Sequence, residues 1–194
     1  KELSTSIYND ASRRGEQVIT LNWKQGAEKN FPSSIGLQGN GWIEPTADWV
    51  VASLKAMGFT GAQIHEASHS WGTFLAYEIG ERFGEVGTIV ALDPAEDSQL
   101  LGSKYDSSQV NFGKVSASSY AFSSSKFGNE SLANTADISV KVVSPEGYEG
   151  FGLDAAALLA LQKQYFLKAF GIEITDEALD AFNEHGFAVT AFSE

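Results

Sequence analysis

The spacing of apolar residues changes character several times along this chain. In ADWVVASLKAM it follows the helical period and stops at Gly58, with Thr46, just after Pro45, as the expected N-cap. Gly72–Phe83 (GTFLAYEIGERF) repeats the helical period. Four runs have strand length instead: Gln17–Trp23, Ala62–Ala67, Gly87–Asp93 and Ile138–Ser144, the third apolar enough to be a buried strand. The polar segment Lys1–Arg14 is predicted helical and ended by Gly15. Strand, helix, strand, helix, strand predicts an α/β fold built on a mostly parallel sheet with right-handed crossovers.

Other segments are less regular. Lys24–Glu44 reads as a long loop with glycines at 36, 39 and 41, and loops of that length in compact domains are often functional. Gly102–Ala136, rich in serine, aromatics and glycine, receives no assignment. Leu153–Phe170 is a strongly apolar helix with Asp154 near its start and Gly171 at its end. Thr175 caps a shorter helix over Asp176–Phe182, and His185 and Gly186 precede a closing FAVTAF. There is no internal repeat, and the whole of 1–194 reads as a single domain.

Composition narrows the function classes. Hydrophobic residues make up 43% and charged ones 20%, the balance of a chain that folds around a core. A net charge of −12 without any lysine or arginine cluster argues against a nucleic-acid partner, because phosphate binding needs a basic face. The chain has no cysteine, which excludes disulfides and thiolate metal sites. No run of about 18 apolar residues occurs, so no membrane-spanning helix is predicted. No metal site and no cofactor are expected.

Candidate chemistry gathers where a parallel sheet places it, at the carboxyl ends of strands. Ser70 follows the strand Ala62–Ala67 and precedes the helix Gly72–Phe83 in the turn S-H-S-W-G. A nucleophile elbow, G-x-S-x-G, needs small residues on either side of a serine held in a sharp strand-to-helix turn, and Ser68 here replaces the first glycine. The next strand ends in Asp93, followed by Pro94. A serine hydroxyl needs a base to take its proton, and the base needs an acid to fix its tautomer. Three histidines are present. His69 adjoins the serine and should point away from it, and His65 reads as a core or sheet-face residue. That leaves His185, in a loop before a glycine, as the base. The order Ser70, Asp93, His185 is that of α/β hydrolases. Glu146, after the strand Ile138–Ser144, is a second candidate for the acid, with Asp93 preferred; a loop carboxylate that merely caps a turn is the plain alternative for Asp93.

QVITLNWKQGA, SHSWG and IVALDPAED, in that order, resemble the pancreatic-type lipase family over Gln17–Asp97, and the chain as a whole is similar to lipase-like domains of secreted bacterial proteins. The resemblance implies an α/β-hydrolase fold, hydrolysis of lipid or related carboxylic esters, and Ser70, Asp93 and His185 as nucleophile, acid and base. It also implies an extracellular location, transient contact with a lipid surface, and further domains in a longer chain. The backbone N–H of Trp71 is expected to be one oxyanion donor. The other donor comes from a His-Gly loop in such lipases, and no His-Gly precedes the elbow here: either the chain is part of a longer protein whose first strands and donor loop lie before Lys1, or another donor substitutes, the glycine loop Gly36–Gly41 being the candidate. By the same resemblance, 153–182 forms an apolar lid or cap, against a plain core or dimer-interface helix. A non-catalytic hydrolase-fold binding module and a different acyl transferase or thioesterase are the competing function classes.

Overall fold

The structure, a computed structural model, describes residues 2–23, 41–95, 105–125 and 128–143, with side chains from Thr5 onward. Its elements are α1 (Glu2–Arg14), α2 (Ile43–Ala56), β1 (His65–His69), α3 (Gly72–Phe83), β2 (Thr88–Leu92), β3 (Ser119–Ser123), α4 (Glu130–Ala133) and β4 (Ile138–Lys141). The four strands form one parallel sheet in the order β1-β2-β3-β4. This is an α/β fold. Each step moves to the next strand in the same direction across the sheet.

The strand register sorts the residues by face. Glu66 and Ser68 stand level with Ile89 and Ala91, and these with Ser119 and Ala121. On β2 and β3 this face is fully buried, and α3 packs against β1 and β2 while α4 packs against β3. On the other face Ala67, Val90 and Tyr120 stand level, and Tyr120 keeps 37% of its surface exposed. Every residue of α3 from Thr73 to Gly80 is buried, because the helix is packed against both the sheet and α2. From α2, Ile43, Ala47, Val51 and Leu54 point inward at helical spacing. Phe74 of α3 stacks on Tyr105 at 5.2 Å between ring centres. An ion pair joins the two helices, with Arg82 Nε 2.6 Å from Asp48 Oδ1.

Several sequence expectations shift. Gly15 and Gly58 do end α1 and α2, each with the positive φ that a helix stop favours. However, α2 begins at Ile43, not after Thr46: Trp42 occupies the cap position, and Pro45 sits in the first turn, where amide hydrogens lack helical partners anyway. The segment Gln17–Trp23 forms no strand. Leu21 and Trp23 pack half-buried against the core, but Ile19 is exposed and nothing among the described residues pairs with the backbone as a ladder. The strand expected over Ala62–Ala67 starts later, at His65, because Gly61–Gln63 form a 3-10 turn. That turn is closed by the amide and hydroxyl of Thr60, both donating to Gln63 Oε1 at 3.0 Å. The unassigned Gly102–Ala136 contains β3, α4 and two 3-10 turns, Ser107–Gln109 and Phe112–Lys114. The last strand is shorter than Ile138–Ser144 and exposed along its length. The helices and cap expected over 153–182, with Glu146 and His185, lie outside the described residues.

Candidate active site

Two strands in succession end in a residue with a Cβ and positive φ. Ser70, directly after β1, has φ 56°, and Asp93, directly after β2, has φ 43°. Left-handed backbone costs such residues about 1–2 kcal/mol each, so the surroundings must hold both in place.

For Ser70 the restraints are visible. Its amide donates to the Leu92 carbonyl at the end of β2 (3.1 Å), and its own carbonyl accepts from the Thr73 amide (3.0 Å) and Thr73 Oγ1 (2.7 Å). Thr73 is fully buried, so this grip is shielded from water. The chain then turns through Trp71 (φ −61°, ψ −21°) into α3 at Gly72. This is a strand, a sharp turn carrying a half-buried serine, and a helix: the local geometry of a nucleophile elbow. Ser68 is accommodated where a glycine is usual. A Cβ on Gly72 would lie 3.7 Å from the Ser68 Cβ, an ordinary contact, so helix and strand are not pressed together here. No acceptor among the described residues takes the Trp71 N–H, which stands at the start of α3.

Asp93 is fully buried, and its amide donates to the Phe122 carbonyl of β3 (2.6 Å). Among the described residues, its carboxylate receives donors from Ser124 and Ser125, in the turn after β3. The Ser124 and Ser125 amides reach Oδ1 at 2.7 and 3.3 Å, and the Ser125 hydroxyl reaches Oδ2 at 2.5 Å. The ends of β1, β2 and β3 are therefore stapled in a row, Ser70 to Leu92 and Asp93 to Phe122, with the nucleophile candidate and the preferred acid on adjacent strand ends.

The remaining expected members divide. His185 and the alternative acid Glu146 are outside the described residues. His65 opens β1 at the end opposite Ser70, exposed on the sheet face, its Nδ1 3.0 Å from Thr88 Oγ1. His69 is half-buried beside Ser70. No group of three or more histidine or carboxylate side chains among the described residues is arranged to hold a metal ion.

One feature of the site's supporting strand was not read from the sequence. Glu66, on β1, has a sealed carboxyl oxygen, Oε2, with no hydrogen-bond partner among the described residues, and burial pushes this acid well above the ordinary carboxyl range. Its signal was a charged residue inside a short strand. A second polar cluster lies beside the latter half of α3. There Glu78 is buried, accepts from the Tyr105 hydroxyl (2.6 Å) and pairs with Arg82, at the wall of a cavity of about 530 Å³. Burial, then the bond to Glu78, pushes the Tyr105 phenol up, which keeps it a donor.

A parallel sheet with a serine on a strained strand–helix turn and an anchored aspartate on the next strand end defines the general class: an α/β protein. Comparison with known proteins adds a relative. The chain is 32% identical over 80 residues to pancreatic triacylglycerol lipase of the rabbit, Oryctolagus cuniculus. That match covers 40% of this chain and only 17% of the relative's length. No protein-family model matches the chain, and no solved structure does.

Proposed function

We propose that this chain is the catalytic part of an α/β-hydrolase of the pancreatic-type lipase kind, a serine hydrolase that cleaves carboxylic esters. The observation that carries the reading is the pair of strained residues, Ser70 at φ 56° and Asp93 at φ 43°, held on neighbouring strand ends. Strain concentrated at two polar residues of one rim is how sites are built rather than how cores are packed. The likeness to a triacylglycerol lipase over 80 residues supports the same reading.

In this reading His185 takes the proton from Ser70 Oγ as the oxygen attacks the ester carbonyl. The oxyanion of the tetrahedral intermediate is met by the Trp71 N–H. The imidazolium, stabilised by Asp93, gives its proton to the departing alcohol, and water activated by the same histidine then frees the acid from the acyl-enzyme. No cofactor takes part. The partner is an ester or lipid substrate met at a lipid surface outside the cell, with 153–182 as the apolar cap over the acyl chain.

Hydrolysis of p-nitrophenyl butyrate by the full-length protein tests this. Activity that falls at least about 10³-fold in Ser70→Ala and in His185→Ala, with both variants folded, is the expected result. Folded wild-type protein without esterase activity would instead favour a hydrolase-fold binding module.

A further inference from the structure

The two peptide planes that flank Ser70 are each tied to a neighbour. On the amino side the Ser70 amide donates to the Leu92 carbonyl (3.1 Å). On the carboxyl side Thr73 supplies two bonds, its amide and its hydroxyl donating to the Ser70 carbonyl at 3.0 and 2.7 Å. In a regular helix that carbonyl would receive the Phe74 amide, which here turns to the Trp71 carbonyl instead (3.2 Å). A buried threonine in a helix commonly returns its hydroxyl to a carbonyl three or four residues back, and this satisfies the hydroxyl. The carbonyl taken here is that of the strained residue itself, at φ 56°.

A trans peptide is planar, and its C=O and N–H point in opposite directions. The Ser70 carbonyl and the Trp71 N–H belong to one such unit, so whatever aims the first also aims the second. No acceptor among the described residues takes the Trp71 N–H, while Thr73 is fully buried and its grip is shielded from water. From this we propose that Thr73 is a positioning residue: its hydroxyl holds the Ser70–Trp71 peptide plane and so points the Trp71 N–H to where the oxyanion forms. The inference rests on the serine-hydrolase reading above and adds to it. The Thr73 amide alone tethers the plane by one bond, about which it can tilt, and the hydroxyl closes a second contact on the same oxygen. Tilt costs little while the substrate carbonyl is neutral and more as charge develops on its oxygen, so the loss falls on the transition state.

Thr73→Val keeps the outline of the side chain and removes the hydroxyl. In the full-length protein it lowers kcat on p-nitrophenyl butyrate by about tenfold with KM nearly unchanged. That is less than the roughly 10²–10³-fold loss of an absent oxyanion donor, because the Trp71 N–H is misaimed rather than removed. Inhibition by a trifluoromethyl ketone isolates the effect. Ser70 Oγ adds to the carbonyl carbon, the carbonyl oxygen takes the π pair as an oxyanion, and the hydroxyl proton passes to the proposed base. The inhibition constant rises by the same factor as kcat/KM falls, while the fraction of sites titrated by a fluorophosphonate stays at the wild-type level. Thr73→Ser and Thr73→Ala both lose the methyl and differ in the hydroxyl: serine stays within about twofold of wild type, and alanine follows valine. Thermal melts are measured beside each variant.

Unchanged kcat in folded Thr73→Val or Thr73→Ala overturns the proposal. So does a fall in kcat with an unmoved inhibition constant, which places the effect of the hydroxyl away from the oxyanion. A loss of rate matched by a loss of titratable sites overturns it too, since that marks a purely structural role. Wild-type protein that is folded yet inert on the ester removes the serine-hydrolase reading itself, and the role of Thr73 with it.

Discussion

At the scale of single residues, the cost and the use of strain meet at Ser70. Its φ of 56° is one that glycine adopts freely and serine does not. Ser70→Gly is therefore expected to raise stability by about 1 kcal/mol over Ser70→Ala, measured by chemical denaturation, with both variants lacking activity. Equal stability would mean that the turn is not strained. Glu66 supplies a pH test on the strand that leads to the same turn. Its folded-state pKa is shifted up by burial, so the folded protein retains a proton that the unfolded chain releases. The associated stability is full below the ordinary carboxyl range and is lost as pH rises from there toward the raised folded value. Glu66→Gln, neutral at every pH, should melt higher than wild type at about pH 8 and alongside it at about pH 4. Parallel melting curves across that range would show that the carboxyl is solvated after all.

At the scale of elements, the helices were legible because their apolar spacing is regular: α3 is found over the expected Gly72–Phe83, and α1 and α2 stop at Gly15 and Gly58. Their starts were harder, since Trp42 caps α2 without a side-chain hydrogen bond and leaves no signature in the sequence. The strand β3 was missed for a physical reason. Its SYAFS buries Ser119, Ala121 and Ser123, small residues that give no apolar run, and Ser119 is held through its hydroxyl and amide by Asp137, at 2.8 and 2.7 Å. Conversely Gln17–Trp23 has the apolar content of a strand but no pairing partner among the described residues. The elbow itself was readable as S-H-S-W-G between a strand and a helix, but the turn that seats Asp93 was not, because Ser124, Ser125 and Gly128 belong to that unassigned serine-rich stretch. The spacing at the elbow makes its own prediction. With 3.7 Å between a methyl placed on residue 72 and the Ser68 Cβ, Gly72→Ala should fold normally and keep its activity within about twofold, since alanine also suits a helix start better. Gly128→Ala, by contrast, drives a methyl into the Asp93 carboxylate and should lose most activity.

At the scale of the whole molecule, the described part holds two members of the proposed reaction centre. Three parallel strands end in a stapled rim that carries Ser70 and Asp93, while the base proposed for them, His185, comes from the far end of the sequence. An active site assembled this way depends on chain order in space, which periodicity does not reveal, and only the shortage of histidines singled out His185 as the proposed base. The central claim is that Ser70 is an activated nucleophile, and intact-mass measurement after exposure of the full-length protein to a fluorophosphonate tests it most directly. The account predicts a single adduct on the wild-type protein that is absent from Ser70→Ala and strongly slowed in His185→Ala. A folded wild-type protein that gains no adduct, or an adduct that persists in Ser70→Ala, would contradict it.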